Sequence, residues 1–134
     1  MTQASGRAPV VLVVEDDNAV RALLETVLVA EGYGVISARD GLEGLLKLRM
    51  HQPAALVLDM MMPDVGGLRV LDELEREHPD LPVIVVTGKP QAGDQARDRL
   101  GRSNVFDKPF DVEELVARVR QVAGSPPEPT GRPR

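Results

Sequence analysis

Four short stretches of this 134-residue sequence carry side chains that can do chemistry. Glu15, Asp16 and Asp17 stand in a row. Asp59 stands just before Met60 and Met61. Thr87 precedes Gly88, and Lys108 precedes Pro109. Two or three carboxylates held close repel one another, which raises their proton affinity unless a cation intervenes. Hard oxygen ligands with open positions suit Mg²⁺, which takes few protein ligands and keeps waters. A carboxylate is also a nucleophile toward a phosphoryl group and then forms an aspartyl phosphate. The group in transfer carries charge on its peripheral oxygens, so it needs positive charge and hydrogen-bond donors around it. Mg²⁺ and Lys108 would supply the charge, and Thr87 would supply a donor. Gly88 leaves room for an incoming phosphodonor.

Each of these residues follows an apolar run, and the runs define the elements that must position them. Val10–Val14 is a continuous β-branched run, as expected of a strand buried on both faces. Val20, Leu23, Leu24, Val27 and Leu28 then recur at helical spacing. Gly32 and Gly34 punctuate the chain, and Val35–Ala38 reads as a second strand. Asp40 caps a helix carrying Leu42, Leu45, Leu46 and Leu48. Ala55–Leu58 is a third strand ending at Asp59, and Leu68, Leu71 and Leu74 mark a third helix. Pro82–Val86 is a fourth strand ending at Thr87, and a weaker helix is predicted over about Gly93–Leu100. Val105–Phe106 is a short fifth strand ending at Asp107–Lys108. Asp111 with Glu114 opens a last helix whose stripe is Leu115, Val116, Val119 and Val122.

Strand then helix, five times, predicts an α/β fold: a doubly wound five-stranded parallel sheet with helices on both faces. Right-handed crossovers favour the order 2-1-3-4-5, the flavodoxin-like (βα)5 arrangement. In that order strands 1 and 3 flank the switch point, where ligands bind beyond the carboxyl ends of the strands. The acids, the hydroxyl and the amine all fall at those ends. Taken singly, each has a plainer role. An acidic run often opens a helix, which Asp17 or Asn18 would do here, and a lone lysine is usually solvated. The Met60–Met62 run reads as packing. Their joint placement at adjacent strand ends is what points to one site.

Composition narrows the classes of function. Hydrophobic residues make up 43% and charged residues 28%, the balance of a globular domain. A net charge of −5 gives no clustered Lys and Arg for direct nucleic-acid binding. Cysteine is absent, which excludes thiolate chemistry and Cys-bound zinc. His51 and His78 read as solvated residues near helix C-termini. No run approaches a membrane span, and residues 1–9 lack a signal-type apolar segment, so a cytoplasmic location is the default expectation. Residues 1–8 read as a disordered N-terminal tail and 9–124 as the domain. Residues 125–134, rich in proline, read as a disordered tail or a truncated linker.

The stretches VLVVEDD (Val11–Asp17), LVLDMMMPDVGG (Leu56–Gly67), VIVVTG (Val83–Gly88) and DKPF (Asp107–Phe110) resemble the response-regulator receiver family of two-component systems. The resemblance covers about residues 9–123. It implies that Asp59 is the phosphorylated aspartate. It implies that Asp16 binds Mg²⁺ directly, with Glu15 acting through water, and that Asp59 and the backbone carbonyl of Met61 complete the protein ligands. Lys108 would pair with the phosphoryl group, its bond to Pro109 would be cis, and Thr87 would be drawn inward. The donor would be a sensor histidine kinase or a phosphotransfer protein. The reader would be an effector, an output domain beyond the Pro-rich end, or a second copy. On this reading the chain is a signalling phospho-acceptor that catalyses only its own phosphorylation and hydrolysis.

Three positions depart from the family pattern. Val105 stands where many receivers carry Tyr or Phe, and Phe106 is displaced by one residue, which turns it to the other face. The segment Lys89–Arg102 contains Pro90, Gly93 and Gly101, which predicts a short or mobile fourth helix. Met61 offers no polar side chain to orient a hydrolytic water, which predicts a long-lived phosphoryl state. Among rival classes, a haloacid-dehalogenase-type phosphohydrolase needs a second aspartate where Met61 stands. A receiver fold kept only for protein contacts would not need the intact acidic set. A nucleotide-binding flavodoxin-like domain needs a glycine-rich loop that does not follow the first strand.

Overall fold

The computed structural model describes residues 8–60 and 66–126. Five strands alternate with five helices along the chain: β1 Val10–Val14, α1 Asn18–Ala30, β2 Gly34–Ala38, α2 Gly41–His51, β3 Ala55–Asp59, α3 Gly67–Glu77, β4 Val83–Thr87, α4 Pro90–Leu100, β5 Val105–Asp107 and α5 Val112–Ala123. A 3₁₀ turn, Arg102–Asn104, leads into β5. All strand pairs are parallel, in the order β2-β1-β3-β4-β5. The expected doubly wound topology is the one observed.

The sheet holds together because its strands are apolar on both faces. Leu12, Val14, Leu56, Leu58 and Val85 pack with Leu48, Val70, Leu71, Leu74 and Ala96 from α2, α3 and α4. Val11, Val13, Val57, Ile84 and Val86 pack with Leu24, Leu28, Leu115, Val116 and Val119 from α1 and α5. Full burial of each such Leu or Val contributes about 1.5–3 kcal/mol, so both faces must be covered. That two-sided burial makes the carboxyl ends of β1, β3 and β4 a rigid platform. Register aligns those ends, with Val14 beside Leu58, Asp59 beside Val86, and Thr87 beside Asp107.

Caps fix where the helices begin. Asp17 accepts from the N–H groups of Ala19 and Val20, and Asp40 accepts from Glu43 N. Asp111 accepts from Glu113 N and Glu114 N, which opens α5. Each capped N–H would otherwise lack an intrahelical partner. Two glycines permit close approaches. A Cβ at Gly44 would lie 2.7 Å from Val14 Cγ2, and one at Gly67 would lie 2.5 Å from Met60 Cα. The second contact seats the start of α3 directly on the end of β3.

His51 ends α2 and His78 is the residue after α3, as the sequence suggests. The strand limits move by one residue: β2 starts at Gly34 and β4 runs Val83–Thr87. The expected short fourth helix is a correction. α4 runs from Pro90 to Leu100, 11 residues, as long as α2 and α3. Proline is compatible with a first helical turn because it lacks an N–H the helix would not use. Gly93 is buried against β5: a Cβ there would lie 3.2 Å from Asp107 Oδ1. Arg99 ties α4 to α3, with Nη2 2.6 Å from Asp72 Oδ1 and 2.7 Å from Glu75 Oε1. These contacts span 24 and 27 residues, beyond the reach of local periodicity.

At one border of the sheet, Lys47 Nζ on α2 donates to Ser37 O of β2 at 2.7 Å. At the far end of α5, Tyr33 Oη donates to Gly124 O at 2.7 Å. Of the expected tails, Ala8, Ser125 and Pro126 are described; residues 1–7 and 127–134 lie outside the described residues.

Candidate functional site

β1 ends at Val14, and the next two residues are Glu15 and Asp16. Glu15 is 0% exposed although its side chain is polar, whereas Asp16 faces solvent. The Glu15 backbone extends the sheet, since its N–H donates to Ala38 O at 3.1 Å. Its Oε2 accepts from Asp17 N at 3.1 Å and from Lys108 Nζ at 3.3 Å. β3 delivers Asp59, 1% exposed, and β4 delivers Thr87, 0% exposed. β5 ends at Asp107, and Lys108 reaches back across the strand ends. Its Nζ lies 3.1 Å from Glu15 Oε1 and 3.7 Å from Asp59 Oδ2. Lys108 N donates to Thr87 O at 2.7 Å, which locks this turn to the end of β4. The Lys108–Pro109 bond is cis.

The structure thus brings Glu15, Asp16, Asp59, Thr87 and Lys108 to one end of the sheet. Met61, whose carbonyl is an expected ligand, lies outside the described residues. Asp17 is turned to the helix start. The Val20 N–H, with that of Ala19, holds its carboxyl below the usual carboxylate value, against a smaller opposing effect of desolvation. The Thr87 hydroxyl is engaged with Lys89, accepting from its N–H and donating to its C=O, both at 3.2 Å. Lys89 is the residue just before α4.

Electrostatics at this end are unbalanced. Ligand oxygens of Glu15, Asp16 and Asp59 lie within 4.8 Å of one another. Burial works against the Lys108 charge. The Glu15 hydrogen bond and the charges of Asp59, Glu15 and Asp16 outweigh it and hold the amine above its ordinary pKa. Among the described residues, three carboxylates gather around one ammonium, an excess of two formal negative charges, and buried charge is costly unless it is matched. Glu15 Oε1 is buried and lacks a hydrogen bond of good geometry among the described residues. A hard divalent cation with oxygen ligands matches both the charge and the donor set. The acidic cluster is therefore able to hold a metal ion.

Sequence reasoning missed Arg21. Its Nη1 donates to Glu15 O at 2.9 Å and its Nη2 donates to Asn18 Oδ1 at 2.6 Å. Its position one helical turn after Asp17 was the available signal. Arg97 was also missed; it reaches Asp107 Oδ2 at 3.5 Å from α4. Val105 and Phe106 turn to opposite faces, as the pleat requires: Val105 packs toward α4 and Phe106 toward α5. A groove bounded by Gln52, Pro53, His78 and Asp80 lies at the amino ends of β3 and β4, away from these groups.

The fold and this strand-end cluster together mark a known class. Residues 11–120 match the response regulator receiver domain, and the chain belongs to that family. The response regulator MprA of Mycobacterium avium is 41% identical over 111 residues, 82% of this chain and 49% of that protein. The probable transcriptional regulatory protein TcrX of Mycobacterium tuberculosis is 37% identical over 125 residues, 90% of this chain and 52% of that protein. The chain spans about half the length of these curated relatives. The receiver domain of the Francisella response regulator 1452 superposes with a TM-score of 0.77 at 27% identity, covering 86% of this chain and 96% of that one. The chain is thus a receiver domain of the response-regulator kind, a signalling module. No helix among the described residues is long and apolar enough to cross a membrane.

Proposed function

We propose that Asp59 is the residue of this receiver that takes the phosphoryl group. The observation that carries this reading is the Lys108 Nζ lying 3.7 Å from Asp59 Oδ2 and 3.1 Å from Glu15 Oε1, over a buried acidic cluster. An Asp59 oxygen attacks phosphorus of a phosphohistidine on a sensor kinase or phosphotransfer protein. The O–P bond forms as the P–N bond breaks, and the electron pair stays on the imidazole nitrogen, which takes a proton from water. Bound Mg²⁺ would neutralise the developing charge on the phosphoryl oxygens. Asp16, Asp59, the Met61 carbonyl and, through water, Glu15 would hold it. Lys108 would pair with the incoming group, and its present contacts with both acids keep it in reach.

The switch follows from where Thr87 now points. Its hydroxyl is occupied by the Lys89 backbone, and α4 starts at the next residue. Phosphoryl oxygens on Asp59 are stronger acceptors than a backbone carbonyl. Drawing the hydroxyl inward would release Lys89 and bias the start of α4. A reader then senses the β4–α4–β5 surface, whether an effector, an output domain of the kind the longer relatives leave room for, or a second copy. Hydrolysis of the aspartyl phosphate would be slow without a polar side chain at Met61. The module would act in the cytoplasm, with residues 9–124 as the folded unit.

The test is mass spectrometry after incubation with Mg²⁺ and a small acyl-phosphate donor. Wild type and Asp80→Asn gain one phosphate, and Asp59→Asn gains none. Phosphate retained by Asp59→Asn, or no gain by wild type, refutes the reading.

A further inference from the structure

We propose that Arg21 is a positioning residue for the metal-binding acids, acting through the backbone of Glu15. The inference deepens the site reading above and rests on it. Arg21 sits on α1, half-buried, and does not touch a carboxylate of the cluster through any described contact. Its guanidinium forks. One arm donates to Glu15 O at 2.9 Å, and the other to Asn18 Oδ1 at 2.6 Å. The backbone N–H of Arg21 donates to Asp17 O at 2.9 Å within the first helical turn, and the guanidinium, bonded to Glu15 O and Asn18 Oδ1, folds back over that turn.

The carbonyl it holds belongs to the peptide joining Glu15 to Asp16. That peptide follows the last point where the strand is held by the sheet, the Glu15 N–H to Ala38 O bond. On the far side, Asp17 caps α1. Asp16 itself is exposed and faces solvent, so its direction is set by the peptides on either side of it rather than by packing. A peptide is planar, so fixing the oxygen of Glu15 fixes the amide and Cα of Asp16, and with the following peptide held by the Asp17 cap it restricts the direction of the Asp16 Cα–Cβ bond. Glu15 is anchored separately, through its own side chain, by Asp17 N and Lys108. Arg21 therefore matters for Asp16. Asn18 matters as the brace that keeps the fork flat against the turn.

Charge and position make opposite forecasts. If the positive charge of Arg21 were what counts, removing it would favour a bound cation, and lysine would substitute without loss. If the fork counts, lysine fails, because one ammonium cannot bridge Glu15 O and Asn18 Oδ1 in that plane. Loss of an outer partner that orients a metal ligand typically costs about 10–100-fold in affinity. Only Asp16 depends on this partner, so the lower end, about tenfold, is expected.

The experiment is calorimetric titration of the whole chain with Mg²⁺ alone, with folding checked by circular dichroism. Arg21→Lys and Arg21→Met both weaken Mg²⁺ binding about tenfold, the lower end for an outer partner, and Asn18→Ala, one step further from the ligand, weakens it about threefold, less than an outer partner does. In an Asp16→Asn background, Arg21→Lys has no further effect, since a residue acting through Asp16 has nothing left to position. Wild-type affinity in Arg21→Lys, tighter binding in Arg21→Met, or an undiminished Arg21→Lys effect in Asp16→Asn each overturns the inference. A wild-type chain that binds no Mg²⁺ overturns the site reading instead, so the two failures are distinct.

Discussion

The acidic cluster should make this domain less stable than it would be with one acid removed. The perturbation is Asp59→Asn, which keeps the volume and removes one charge. Asp59 faces Glu15 and Asp16 with ligand atoms inside 4.8 Å. At an effective dielectric of about 20, each such pair repels by about 3.5 kcal/mol, or about 7 kcal/mol for both. Lys108 at 3.7 Å returns about 4.5 kcal/mol on the same scale. Among these charges the balance is about 2.5 kcal/mol against the native state, cut to about 2 kcal/mol by solvent screening at the exposed Asp16. For a domain of this size that is a rise in melting temperature of about 8 °C. The assay is thermal unfolding of both proteins in chelator and in Mg²⁺. In Mg²⁺ at ten times its Kd, wild type gains about 1.4 kcal/mol, and the variant gains much less. If Asp59→Asn melts below wild type in chelator, the repulsion argument is wrong.

Further outcomes follow from single contacts. Gly67→Ala puts a Cβ 2.5 Å from Met60 Cα, a backbone atom that cannot swing away. It should cost at least about 1–3 kcal/mol by denaturant midpoint and should slow phosphorylation of the neighbouring Asp59. Asp111→Ala removes the acceptor for Glu113 N and Glu114 N and should cost about 1 kcal/mol in thermal unfolding. Glu75 is held below its ordinary pKa of 4.5 by the Arg99 hydrogen bond, against a smaller effect of desolvation. A depressed native pKa gives stability that is present above 4.5 and lost as pH falls through the native value. Glu75→Gln should therefore flatten the acid limb of a urea-midpoint profile below pH 4.5, and an unchanged limb would exclude the pair as its source.

The strand ends were legible because each reactive residue terminates an apolar run, and a parallel sheet brings such ends together by topology. Asp59 after Ala55–Leu58 and Thr87 after Val83–Val86 could be placed this way. The helix starts were legible where the cap is local, as with Asp40 and Asp111. The inner working of the site was less so. Nothing in the spacing says that Glu15 is fully buried while its neighbour Asp16 is exposed, because burial depends on where Lys108, 93 residues on, comes to rest. The fourth helix was misjudged for the same reason. Its composition is poor, with Pro90 and Gly93, but Arg99 and Arg97 fasten it to α3 and β5 through partners distant in sequence. Arg21 escaped notice because its target is a backbone oxygen, which no side-chain pattern reports.

The lysine seated on β2 has a consequence for behaviour at high concentration. A border strand offers bare amide and carbonyl groups to any passing extended segment, and that is how misassembly by β-stacking begins. Here the Ser37 oxygen is already taken by the Lys47 ammonium, itself ion-paired with Glu43 at 3.1 Å. An incoming strand would have to displace a charge to dock there. Fibril seeding from that border is disfavoured while α2 stays in place.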